Sequence, residues 1–92
     1  MRFAWDPDKA DANELKHGVS FLEAATIFGD PLATTFTDPD HSLNEEHWLT
    51  FGKSQEGRLL VTAHCDRGEA VRIISARPLT RRERKIYEEE QE

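Results

Sequence analysis

The sequence predicts one small α+β domain in which an N-terminal strand and two helices pack on an antiparallel β-meander, followed by a C-terminal helix. Three observations predict this class. The chain has 92 residues, enough for one modest hydrophobic core. Its apolar residues follow helical spacing in the first third and twofold spacing from Ala33 onward. Short polar joints separate the last three extended segments, which favours hairpins over crossover connections.

The chain begins with the short apolar segment Phe3–Trp5, which is long enough only for a terminal strand. A first helix is predicted to follow. Asp6 can cap it, Pro7 suits its first position, and Gly18 suits its end. Because this helix carries few apolar residues, we expect it to lie on the surface of the domain.

The second predicted helix, Ser20–Phe28, has stronger signals. Ser20 followed three residues later by Glu23 forms a capping-box pattern, and Gly29 follows the last apolar position. Its apolar residues keep helical spacing. We therefore expect this helix to cover the sheet and supply much of the core.

Four segments rich in Val, Ile, Thr and aromatic residues are predicted strands: 33–37, 47–52, 58–65 and 70–76. The acidic segment 38–46 is predicted to be a loop. A second capping-box pattern, Thr80 with Glu83, predicts a last helix that begins near Arg81.

Composition excludes several classes. The chain has 37% hydrophobic and 33% charged residues, as globular domains do. It contains no apolar run long enough to span a membrane and no signal-peptide pattern, so we expect a cytoplasmic protein without membrane contact. The single cysteine, Cys65, cannot form an internal disulfide, and no His or Cys spacing indicates a zinc site. We therefore expect no metal and no cofactor. Phosphate-binding glycine loops and acyl-transfer nucleophile motifs are also missing from the sequence.

The positive charge is concentrated near the C-terminus, although the formal net charge is −6. Acidic residues dominate positions 1–40 and 88–92, whereas 41–87 carry a basic excess. Screening confines such effects to about 8–10 Å, so a local arginine cluster can still hold phosphates. Arg77 ends a predicted strand beside Pro78. Either it reaches a phosphate or it forms an ion pair with a carboxylate such as Asp66 or Glu83.

Strand alternation separates other candidates. In a regular strand, Arg72 and Arg77 point to opposite faces unless a bulge intervenes. His64 shares a face with Leu60 and Thr62. It is either a general acid or base or, as is more usual for a lone strand histidine, a packed structural residue.

Four strings together resemble the BrnT family of bacterial type II toxins: "FAWDPDKADANELKHGVSFLEA", "FGDP", "GKSQEGRLLV" and "VRIISARPLTRRERKIYE". The resemblance covers roughly residues 3–88. It implies a RelE-like fold and a ribonuclease toxin that cuts RNA without a metal. It also implies a BrnA-like ribbon-helix-helix antitoxin as partner. In such a complex only the antitoxin contacts the operator DNA.

The family motifs also suggest site residues. Arg72 and Arg77 match the arginines of the family's "RIISAR" string, and Tyr87 matches the tyrosine of the following helix, whereas His47 stands where the family often has arginine. Metal-free RNA cleavage needs groups that deprotonate the ribose 2′-OH, neutralise the phosphate and protonate the leaving oxygen. We therefore expect two sets of residues. The catalytic set is Arg77, Arg72, His64 and Tyr87, and the substrate-binding set is Arg84, Arg67, His47 and Lys53.

Two other classes stay open. The chain could be a non-catalytic module whose arginines and tyrosine dock an acidic or disordered partner. It could also be a degenerate toxin that serves as a component of an autorepressor complex. Expression of the chain alone in bacteria discriminates between these classes.

Overall fold

A computed structural model describes residues 1–38, 40 and 46–90 of the chain. This part contains five strands and three helices. In chain order they are β1 (Arg2–Ala4), α1 (Pro7–His17), α2 (Phe21–Thr26), β2 (Thr34–Thr37), β3 (Trp48–Lys53), β4 (Leu59–Arg67), β5 (Ala70–Pro78) and α3 (Arg81–Glu89). One 3₁₀ turn, Ile27–Gly29, extends α2. The predicted loop 38–46 lies mostly outside the described residues. No helix of the described part is long and apolar enough to span a bilayer.

The helix ends follow the capping signals of the sequence. The Asp6 carboxylate accepts a hydrogen bond from the Asp8 N–H at 2.9 Å, and Gly18 adopts the left-handed conformation (φ 68°) that ends α1. Thr80 and Glu83 form the complete capping box of α3. These predictions are confirmed.

At the start of α2 the capping box is only half used. The Ser20 hydroxyl accepts from the Glu23 N–H at 3.0 Å. The Glu23 carboxylate instead binds the guanidinium of Arg58 and the hydroxyl of Ser54, which joins α2 to the β3–β4 hairpin. Arg58 lowers the pKa of Glu23 through these hydrogen bonds, although burial opposes the shift.

The five strands form one mixed sheet in the order β1-β5-β4-β3-β2. Strands β2 to β5 form the predicted antiparallel meander, which is confirmed. Strand β1 adds a parallel edge, with Arg2–Ala4 opposite Ala70–Arg72. The local pattern of a three-residue strand contains no information about a partner nearly seventy positions away, so this pairing could not be predicted.

A β-bulge interrupts the register of β4 and β5. Ala63 pairs with Ser75 and His64 pairs with Ile73, so Ile74 is the extra residue. On either side of it, Arg77 pairs with Val61 and Arg72 pairs with Cys65. Because Val61, Ala63 and Cys65 alternate onto one face of β4, their partners Arg77, Ser75 and Arg72 share that face too. The bulge therefore brings the two arginines to the same side.

The two faces of the sheet carry different cores. On one face α1 and α2 pack against the strands, and the buried cluster comprises Val19, Ala24, Ile27, Leu60 and Ala76. This confirms that the helix predicted over 20–28 covers the sheet. The fit is close at Gly52, where a Cβ would lie 3.1 Å from the Ile27 Cβ. On the other face α3 covers a second cluster of Phe51, Val61, Leu79 and Tyr87.

Asn13 ties α1 to the sheet edge. Its amide nitrogen donates to the Ala76 carbonyl at 2.8 Å and to the Val19 carbonyl at 3.0 Å, and its oxygen accepts from the Ala76 N–H at 3.1 Å. Since β1 pairs with β5 only at Ala70–Arg72, the Asn13 amide takes the place of a neighbouring strand at Ala76. The predicted surface helix thus has a buried polar anchor.

Candidate active site

A groove lies on the α3 side of the sheet, where that helix leaves the strands uncovered. Its volume is ≈330 Å³. The floor is a row of paired residues, Leu49, Ala63 and Ser75, on the three central strands. Leu49 also packs against the core beneath α3, which places the groove beside that helix. The full lining is Asp38, Asp40, His47, Leu49, Ala63, Ile74, Ser75 and Arg77.

Arg77 lies at one end of the groove and is held by Glu83. Its Nη1 donates to Glu83 Oε1 at 2.7 Å and its Nη2 donates to Oε2 at 2.9 Å. Nη1 also donates to the Pro78 carbonyl at 3.2 Å. The pair raises the pKa of Arg77 and lowers the pKa of Glu83. The predicted ion pair with Glu83 is therefore confirmed, while 40% of the Arg77 side chain stays exposed.

His47 lies at the opposite end, just before β3. Continuing the β3–β4 register by one residue places His47 opposite Cys65, whose partner on β5 is Arg72. Adjacent strands are about 4.8 Å apart, so the backbones of His47 and Arg72 are about 10 Å apart on one face. Two of the predicted residues, Arg77 and His47, thus line the groove, and Arg72 lies on the same face of the sheet.

His64 lies on the other face of the sheet, under Phe28, at a ring distance of 5.0 Å. It is 6% exposed. Its Nε2 hydrogen-bonds the Thr50 hydroxyl at 2.7 Å, and Thr50 in turn hydrogen-bonds Thr35 at 2.8 Å. Its buried Nδ1 has no hydrogen-bond partner among the described residues. Burial lowers the pKa of His64.

Tyr87 is buried at 6% exposure in the core beneath α3 and does not line the groove. Its hydroxyl donates to Asp30 Oδ2 at 2.7 Å. The same carboxylate accepts from the backbone N–H groups of Lys53 and Leu32. Burial and the bond to Asp30 raise the pKa of Tyr87 to about 12. This network connects α3 to the turn that follows α2.

The three remaining predicted residues also lie outside the groove. Lys53 ends β3 and lines a shallow depression of ≈180 Å³ next to Asp30. Arg67 ends β4 and is exposed at the β4–β5 hairpin. Arg84 is exposed on α3.

A second surface depression, of ≈580 Å³, runs along one side of α3. We call it the cationic flank. It is lined by Arg81, Arg82, Lys85, Ile86 and Glu89, all from this one helix. Within the described residues, no group of three His, Cys, Asp or Glu side chains is arranged to hold a metal ion.

The sequence did not indicate the acidic and hydroxyl groups of the groove. Asp38 and Asp40 follow β2 in what was predicted only as a loop. Ser75 reaches the groove through its pairing with Ala63. Because these positions depend on strand register, no local motif identifies them.

The chain is similar to known proteins in two comparisons. The model of the family described as "Ribonuclease toxin, BrnT, of type II toxin-antitoxin system" matches residues 5–83. The crystal structure of the ribonuclease toxin BrnT from Brucella abortus superposes with a TM-score of 0.67 at 24% sequence identity, over 88% of this chain and 99% of that chain. This likeness shows a shared fold. No curated protein sequence matches the chain.

Proposed function

Because the chain belongs to the BrnT family of ribonuclease toxins of type II toxin-antitoxin systems, we propose that it cleaves RNA without a metal ion and that a cognate antitoxin neutralises it. The family assignment suggested by the sequence motifs is confirmed. The observation that supports the proposed chemistry is the groove, in which Arg77 and His47 line one open face of the sheet.

The proposed reaction is attack by a ribose 2′-OH on the adjacent phosphate. His47 takes the proton of the 2′-OH, since histidine is the side chain that most often serves as general base in enzymes. The 2′ oxygen then bonds to phosphorus and the bond to the 5′ oxygen breaks, leaving a 2′,3′-cyclic phosphate. The leaving oxygen takes up a proton, from the imidazolium or from water.

Arg77 carries the electrostatic part of this proposal. Negative charge grows on the non-bridging phosphate oxygens in the transition state, and a planar guanidinium can donate to two of them at once. Arg72 adds a second positive charge on the same face. The groove therefore offers a proton acceptor and a phosphate clamp on one surface.

For His64 and Tyr87, the contacts support structural roles. His64 lies across the sheet from the groove, and burial opposes its protonation. Tyr87 is occupied by Asp30, and its raised pKa of about 12 makes a phenolate costly at neutral pH. We propose that both residues stabilise the scaffold on which the site is built.

The proposed partner is a BrnA-like ribbon-helix-helix antitoxin, and contact with operator DNA is made only through it. Cellular RNA as substrate places the proposed activity in the cytoplasm. Co-purification with the product of the neighbouring gene tests the partner. If that product neither binds the chain nor protects cells from it, the partner proposal is wrong.

Comparison of Arg77→Ala with Arg81→Ala tests the catalytic proposal. Removal of one preorganised donor typically lowers a rate by about 10²–10³, so we expect Arg77→Ala to lose RNA cleavage to that extent. Arg81 lies on the cationic flank, and its alanine variant should retain most activity. Melting temperatures are measured for both, and all assays contain EDTA. A folded Arg77→Ala protein with parental activity would refute the assignment.

A second candidate function, docking of an acidic partner without catalysis, is favoured by the cationic flank. Three cations surround Ile86 there, an arrangement suited to an acidic amphipathic segment. Expression of the chain alone separates the two functions. Growth arrest with loss of RNA supports the ribonuclease, and harmless accumulation supports the docking module.

A further inference from the structure

The hydrogen-bond donors of Arg77 are only partly used by the protein. A guanidinium has five N–H groups, one on Nε and two on each Nη. Both donors of Nη1 are engaged, by Glu83 Oε1 and the Pro78 carbonyl, and one donor of Nη2 is engaged by Glu83 Oε2. Within the described residues, the Nε–H and the second Nη2–H have no partner.

These two remaining donors lie on one edge of the guanidinium and point in parallel, the arrangement that meets two oxygens of a phosphate. Glu83 binds the other edge, formed by Nη1 and Nη2. The carboxylate therefore does not occupy the edge that a phosphate would use. Two edges of one guanidinium can bind a carboxylate and a phosphate at the same time.

Glu83 is itself held in place. Its Oε1 accepts from the Thr80 N–H at 2.9 Å, and its own N–H donates to the Thr80 hydroxyl at 3.2 Å. Its side chain is only 18% exposed. The backbone N–H of Thr80 thus fixes the carboxylate, and the carboxylate fixes the plane of the guanidinium, whereas the Thr80 hydroxyl caps only the helix backbone.

We propose that Glu83 is the positioning residue for Arg77 and that the Nε–Nη2 edge of Arg77 is the phosphate-binding edge. This inference rests on the proposed function, in which Arg77 contacts the scissile phosphate. Glu83 itself does not touch RNA. It orients Arg77 before the substrate arrives, so that the ordering of a flexible side chain does not oppose the contact that Arg77 makes with the phosphate in the transition state.

The test is the variant Glu83→Gln, compared with Thr80→Ala and Arg77→Lys. Glutamine keeps an oxygen for the Thr80 N–H but cannot accept from both Nη groups of Arg77. Thr80→Ala removes the hydroxyl of the same capping box and leaves both Arg77 contacts in place. Arg77→Lys keeps a positive charge that can pair with Glu83 but has no second edge. Each protein is assayed for cleavage of a short fluorescent RNA oligonucleotide and for its melting temperature.

We expect kcat of Glu83→Gln to fall by about 10–100-fold, because small misplacements of a catalytic group cost that much. KM should change little, because the phosphate contact that Glu83 positions strengthens in the transition state, where negative charge grows on the non-bridging oxygens. Thr80→Ala should lose melting temperature but keep its kcat, which separates positioning from stability. Arg77→Lys should lose at least as much kcat as Glu83→Gln.

Two outcomes overturn the inference while the proposed function stands. One is a Glu83→Gln protein whose kcat equals or exceeds the parental value while Arg77→Ala is inactive, because the carboxylate would then be neutral or a competitor of phosphate. The other is an Arg77→Lys protein with parental activity, since the two parallel donors of a guanidinium edge would then not be needed for cleavage. A parental protein that does not cleave RNA overturns the proposed function and this inference with it.

Discussion

His47 and His64 lie near each other in the sheet register but face opposite ways. His64 pairs with Trp48, so His47, one residue earlier, points to the other side. A buried N–H without an acceptor costs more than a bare ring nitrogen, so the His64 proton belongs on Nε2 and the buried Nδ1 stays unprotonated. Thr50 then accepts from His64, and its hydroxyl also hydrogen-bonds the hydroxyl of Thr35. This residue is a hydrogen-bonded part of the core.

We predict that protonation of His64 destabilises the fold. Its folded pKa is lowered from 6.5 by burial, with Asp66 acting in the opposite direction. The unfolded chain therefore binds more protons, and the free energy of unfolding falls as pH falls below about 6.5. The slope is at most about 1.4 kcal/mol per pH unit for one proton. Urea unfolding between pH 7 and 5 measures it.

The control variants for this prediction are His64→Gln and His17→Gln. His64→Gln should flatten the slope, whereas His17→Gln, changed at the end of α1, should keep it. Glu23 and Glu83 have a lowered pKa, relative to 4.5, so the stability they contribute is lost at more acidic pH and does not obscure the test. A His64→Gln protein with an unchanged slope would show that another group is responsible.

At the scale of elements, α1 depends on one polar contact more than on apolar packing. Leu15, its largest apolar side chain, is 90% exposed, whereas Asn13 is 8% exposed. The amide of Asn13 satisfies both backbone groups of Ala76 and one of Val19. Loss of this side chain would leave buried backbone groups without partners, which is costly in a sheet.

We therefore predict that Asn13→Ala lowers the free energy of unfolding by about 2–4 kcal/mol, because it leaves several buried backbone groups unpaired. Leu15→Ala on the same helix should change it by less than about 0.5 kcal/mol. Urea denaturation of both variants at neutral pH provides the measurement. Equal stabilities for the two variants would contradict the anchoring role of Asn13.

The elements themselves could be predicted because their signals are local. Asp6 and Ser20 cap the helices that the sequence assigned to them, and the strands over 59–67 and 70–78 contain the predicted segments 58–65 and 70–76 almost entirely. The site could be predicted less well from the sequence. Alternation correctly grouped His64 with Leu60 and Thr62, but only the packed structure shows that Phe28 covers that face.

The arginines show the same limit. The sequence predicts for Arg77 either a phosphate contact or an ion pair with a carboxylate such as Asp66 or Glu83. The capping box of α3 brings Glu83 close to the strand end, where it forms this pair. The common face of Arg72 and Arg77 depends on the bulge at Ile74, which is a property of two paired strands. A pattern read along one strand cannot contain it.

At the scale of the whole molecule, a net charge of −6 coexists with a face that carries two arginines. Long-range attraction does not favour RNA binding by such a chain, so affinity has to come from contacts at short range. In the proposed function, the carboxylates of Asp38 and Asp40 at the groove would disfavour phosphates that are not positioned at Arg77.

We predict a shallow salt dependence of RNA binding. For a single strand the slope of log K against log salt is about −0.7 per phosphate contact, which gives about −1.4 for two contacts and about −2.1 for three. Fluorescence anisotropy with an oligonucleotide that carries 2′-deoxy sugars, and so is not cleaved, measures it. A slope steeper than about −4 would mean that the cationic flank also binds RNA.

The bulge at Ile74 also bears on how relatives of this chain should be aligned. Arg72 and Arg77 are five positions apart, an odd spacing that places both on one face only when an extra residue interrupts the alternation. A relative in which the same arginines are four positions apart would achieve the same arrangement with a regular strand. A one-residue gap at this point in an alignment is therefore compatible with a conserved face. A relative that keeps the five-residue spacing but has no bulge here would direct one of the two arginines towards the face that α1 and α2 cover.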